Sequence, residues 1–69
     1  MDDAAKVGRL LKLAAELDSE LAAVLYAGRE HRVEDRDVRF DLKAASEHAS
    51  ALLRAMNRAN ATAMQKEAE

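Results

Sequence analysis

The chain has 69 residues, no cysteine and no proline, a net charge of −2 and 35% charged residues. That length allows one domain at most, and a domain this small is marginal alone. Without cysteine neither disulfides nor thiolate metal sites can reinforce it, which leaves oligomerisation as the common remedy.

Ala, Leu, Glu, Lys and Arg dominate, and there are only two glycines and two aromatic residues, Tyr26 and Phe40. This is the composition of long helices, and it lacks the β-branched, aromatic and turn residues of a sandwich or barrel. Residues 1–28 carry three basic and five acidic side chains, residues 29–43 five and five, and residues 44–69 three and three. No segment is basic enough to imply non-specific nucleic-acid binding or a polybasic membrane anchor. The start, Met1-Asp2-Asp3-Ala4-Ala5, is acidic and unlike a signal peptide. No apolar run approaches membrane-spanning length, so no membrane association and a cytoplasmic location are expected.

The first predicted helix covers about residues 3–28, with Asp2 or Asp3 as its amino-terminal cap. Val7, Leu10, Ala14, Leu17, Leu21 and Val24 recur at alternating spacings of three and four, a heptad seam. Leu11, Leu13 and Leu25 flank this seam and widen it, which suits a helix with more than one neighbour. Gly28 is placed to stop the helix in a left-handed conformation.

Residues 29–37 are nearly all charged, with Val33 the single apolar residue, and read as a connection. Asp35 or Asp37 would cap the second helix. That helix is expected over about 38–64, with a seam of Val38, Leu42, Ala45, Ala49, Leu52, Met56, Ala59 and Ala63. Small Ala45 and Ala49 facing Leu17 and Leu21 would let the helices approach closely. The polar tail 65–69 should fray. Val38-Arg39-Phe40-Asp41-Leu42 alternates apolar and charged residues, the period of a strand. A helix would leave Phe40 outside, whereas an extended segment would turn it inward with Val38 and Leu42; helix is the expectation.

The expected fold is therefore all-α: an antiparallel helical hairpin whose two copies dimerise into a four-helix bundle. Its core would contain Val7, Leu10, Leu17, Leu21, Val24, Leu42, Leu52 and Met56.

No catalytic residue, metal site or cofactor is expected. His31 and His48 have no partner at ligand spacing, and Ser19, Ser46 and Ser50 lack a glycine elbow or triad context. No glycine-rich loop is present to cradle a phosphate, and two helices enclose no pocket that could tune a carboxylate. The candidate functional residues are contact residues. Tyr26 falls opposite the seam beside Ala15, Ala22 and Ala23, and tyrosine is enriched at binding hot spots. Phe40 would be exposed near the turn, and Arg32, Arg36 and Arg39 could pair with acidic groups or phosphates.

In size, charge and architecture the chain resembles the short helical inhibitors that bacteriophages make against host regulators, the quorum-sensing anti-activators among them. That resemblance implies a non-enzymatic inhibitor or adaptor covering a partner protein, such as a transcription regulator, and carries no residue-level motif. In outline the hairpin also resembles the plasmid regulator Rop, which implies RNA binding through a basic, aromatic-bearing helix face. The run from Arg36 through Val38, Phe40 and Leu42 to Lys43 resembles the start of ribbon-helix-helix proteins, which implies a DNA-binding ribbon. A structural subunit of a larger assembly is the remaining alternative.

Overall fold

The computed structural model describes residues 2–68, which form two helices: α1, Asp3–Tyr26, and α2, Arg36–Ala68. They pack antiparallel into a hairpin measuring 50 × 19 × 12 Å, so the molecule is a slab one helix thick. No helix among the described residues is long and apolar enough to cross a membrane.

Shielded residues mark the face that each helix turns to the other. The regular positions on α1 are Ala4, Val7, Leu11, Ala14, Asp18, Leu21 and Leu25, and on α2 Arg39, Leu42, Ser46, Ala49, Leu53, Met56, Asn60 and Ala63, with Gly8, Val24, Ser50 and Ala55 half-buried beside them. Both sets alternate spacings of three and four, the seam of a packed helix pair. Among the described residues only Ala14, Leu25 and Ala49 are buried. The two alanines let the backbones come close, and Leu25 fills the space near the turn.

This seam is rotated by about one residue from the expected one. Val7, Ala14, Leu21, Leu42, Ala49, Met56 and Ala63 belong to both, but Leu11 and Leu53 replace Leu10 and Leu52 as the inward partners, and Leu25 is buried beside Val24. Leu10, Leu17 and Leu52 are 53%, 47% and 44% exposed. Val38 is also exposed, and Val24 is half-buried. A polar pair lies along the observed seam: Ser50 Oγ donates to Asp18 Oδ1 at 3.0 Å across the two helices. With that bond satisfied, polar residues can occupy inward positions that a hydrophobic pattern assigns to leucine.

The helix ends are closed by residues far away in the chain. α1 stops at Tyr26 because Ala27 turns extended, with φ −72° and ψ 178°. Gly28 has no positive φ, so the expected left-handed stop is not used. Instead the Gly28 carbonyl accepts the His31 and Arg32 amides at 2.9 and 3.2 Å, and the Val33 amide reaches back to the Val24 carbonyl at 2.8 Å. Arg39 completes the closure, donating Nη2 to the Leu25 carbonyl at 2.9 Å and Nη1 to the Val33 carbonyl at 2.8 Å. α2 begins at Arg36, two residues before its expected start, with Asp35 Oδ1 accepting the Val38 amide at 2.9 Å.

At the other end, Asp2 makes no side-chain cap for α1. The Ala4 amide donates to Glu67 Oε2 at 2.8 Å. A carboxylate from the last turn of α2 thus sits on the positive pole of α1. Of the segment 65–69 expected to fray, residues 65–68 are helical, and Glu69 lies outside the described residues. Residues 36–42 are helical as well, and Phe40 is 75% exposed. The strand-like alternation is not used, and no ribbon exists among the described residues.

Candidate partner-binding surfaces

A slab one helix thick has two broad sides, and the sequence makes them chemically different. On the first side Leu10, Leu13, Ala14, Leu17, Leu52 and Met56 line one shallow groove of about 350 Å³. Leu17, Leu21, Ala45, His48, Ala49 and Leu52 line a second of about 480 Å³. The grooves share Leu17 and Leu52 and run into one another along the slab. His48 is the only polar side chain lining either. Leu13 is 55% exposed, so the four most prominent leucines of this side all face solvent in the single hairpin. This is the doublet arrangement of Leu10-Leu11 and Leu52-Leu53 worked out in three dimensions. One leucine of each pair faces the seam, and the other points out of the slab.

The second side carries the candidate contact residues. Arg32, Arg36, Arg39 and Phe40 come together around a hollow of about 470 Å³, joined by Glu34 and Lys43. Tyr26 lies in an adjoining hollow with Lys43, Ser46, Glu47, Ser50 and Arg54. Lys43 borders both, so the five residues singled out in the sequence form one region, with Lys43 and Arg54 as members that sequence reasoning missed. Helical phase held the signal: Arg36, Phe40, Lys43, Arg54 and Arg58 fall within one narrow sector at about 100° per residue.

The arginines of this region are not equivalent. Arg39 is committed to the turn through its two carbonyl acceptors. Those two bonds hold the turn in shape and occupy the donors that were expected to meet a partner. Arg32 Nε lies 3.4 Å from Glu34 Oε1. Arg36 is nearly free in water, its Nε 3.6 Å from the equally exposed Asp37. Exposed pairs of this kind contribute between nothing and about 1 kcal/mol. Their cations are available to a better acceptor.

Among the described residues, no group of three or more His, Cys, Asp or Glu side chains is placed to hold a metal ion. No family model matches the sequence, and no curated protein or solved structure matches it either.

Proposed function

We propose that the protein is a non-catalytic protein-binding module that works as a homodimeric four-helix bundle, acting as an inhibitor or adaptor by covering a surface of a partner protein. The observation that supports this reading is the unpartnered apolar side. The hairpin exposes 5400 Å², where a compact monomer of 7.6 kDa would expose about 4,300 Å². The excess, roughly 1,100 Å², exceeds the ~800 Å² that each partner hides in a standard interface. A second copy of the chain is the occupant that fits. Its own Leu10, Leu13, Leu17 and Leu52 form a matching surface, and a two-fold axis lets one patch meet itself. Two such slabs stacked on their leucine sides make four helices around a common core. The second side of each hairpin then faces outward and stays available to another protein. A small site-less protein that presents such faces acts by occupying surface, which is the mode of the short phage inhibitors of host regulators.

Sedimentation equilibrium tests the dimer. The wild type should run at twice the mass of the chain, and Leu13→Glu should run as a monomer, because a buried unpaired carboxylate on that side costs several kcal/mol. A wild type that remains monomeric at high micromolar concentration overturns the bundle.

A further inference from the structure

Along the second side of α2, Arg36, Phe40, Lys43, Glu47, Arg54 and Arg58 recur at spacings of three, four or seven residues, and all are exposed. They form a straight stripe about 33 Å long at 1.5 Å per residue. Four cations stand there against one carboxylate, in a chain whose net charge is −2. An ordinary solvated helix face alternates its signs. Here Asp37 pairs with Arg36 at the turn end, and Asp41 lies well round α2 from the stripe at about 100° per residue, so beyond Phe40 the cations Lys43, Arg54 and Arg58 share the stripe with Glu47 alone. Lys43, Arg54 and Arg58 make no ion pair among the described residues, whose only pairs are Arg32 with Glu34 and Arg36 with Asp37. At the turn end the stripe meets two exposed aromatic rings, Phe40 at 75% and Tyr26 at 67%.

We propose that this stripe docks an acidic segment of a partner protein, its carboxylates meeting Lys43, Arg54 and Arg58 while an aliphatic or aromatic side chain covers Phe40 and Tyr26. The inference rests on the protein-binding reading above and names the chemistry of the partner. Cations one to three helical turns apart match carboxylates spaced along a peptide. They match a nucleic acid poorly. A duplex presents a charge about every 1.7 Å, so some twenty would lie along the stripe, with Glu47 facing them. Single strands are gripped by aromatic rings distributed along a basic groove, whereas both rings here sit at one end. Complementary charge also speeds encounter and excludes basic partners, and the ring pair would supply the desolvated anchor.

The test is fluorescence anisotropy of the full-length protein with three labelled probes of equal length. One is a helical peptide of about 22 residues, enough to span the stripe, with Glu along one side and Leu along the other. The second has Lys in place of Glu, and the third is a single-stranded RNA. The acidic peptide should bind, the basic one should not, and Lys43→Glu/Arg54→Glu should weaken binding roughly tenfold or more. Phe40→Ala should weaken it with little change in salt dependence, because it removes contact area and no charge. Preference for the RNA, failure of the acidic peptide to bind, or binding that the double charge reversal leaves unchanged would each overturn the proposal. Sedimentation of the same samples reads the dimer separately, so loss of the bundle and loss of the stripe are distinguishable outcomes.

Discussion

Arg39 Nη2 lies 2.9 Å from the carbonyl oxygen of Leu25, so a cation rooted in the first turn of α2 rests on the negative pole of α1. No basic residue occupies the last turn of α1 itself. Arg39 supplies that charge from across the turn, and its second contact, to the Val33 carbonyl, fixes the connection as well. Hydrogen bonds from a charged donor contribute about 1.5–3 kcal/mol each when partly shielded. Arg39→Ala is expected to destabilise the protein by about 2–3 kcal/mol, read as a lower midpoint in thermal or urea denaturation. Arg39→Lys should recover only part of the loss, because an ammonium cannot reach two diverging carbonyls with the geometry of a guanidinium.

The Ser50–Asp18 bond crosses the middle of the hairpin seam. Ser50→Ala should cost about 1 kcal/mol, since it leaves a half-buried carboxylate without its donor. Replacing both, as Asp18→Leu with Ser50→Ala, should recover that loss or exceed it, because an apolar pair has no unmet partner. Denaturation midpoints of the two single variants and the double variant give the coupling directly.

Seam and outer leucines should respond differently. Leu25, 1% exposed, is sealed within one hairpin. Leu25→Ala is expected to cost about 2–5 kcal/mol and to lower the helix content measured by circular dichroism. Leu10→Ser and Leu17→Ser should weaken association while the dissociated chain keeps its helical signal. Equal loss of helix in all three would contradict the division of leucines between seam and outer side.

Gly8 lies inside α1, with helical backbone and no positive φ. A Cβ built there would come no closer than 3.9 Å to Asn60 Oδ1, an ordinary van der Waals contact. Gly8→Ala should therefore raise stability by about 0.5–1 kcal/mol through helix propensity alone. A loss of stability would mean that the helices approach more tightly at Gly8 than they do in this structure.

Much of the architecture was legible in the residue pattern. Two helices, a charged connection and an aspartate cap on α2, Asp35 of the two candidates, follow from local rules that tertiary contacts did not override. The rotation of the seam was not legible, and the reason is specific. Leu10-Leu11 and Leu52-Leu53 are adjacent pairs, so two apolar stripes run along each helix, and periodicity cannot say which one meets its neighbour. The observed seam also holds the bond between Asp18 and Ser50, a pair 32 positions apart that a hydrophobic pattern treats as interruptions. The helix ends were missed for the same reason: Glu67 and Arg39 act on backbone groups 63 and 14 residues distant. For the contact region, Tyr26, Phe40 and Arg36 were visible from the sequence, but equal totals of acidic and basic residues concealed the one-sided placement of Lys43, Arg54 and Arg58.

The bond between the Ala4 amide and Glu67 brings the first and last described turns together at one pole, while the aromatic pair lies toward the other along a molecule 50 Å in length. A fluorophore attached beside Ala4 or Glu67 sits at that pole, remote from Phe40 and Tyr26.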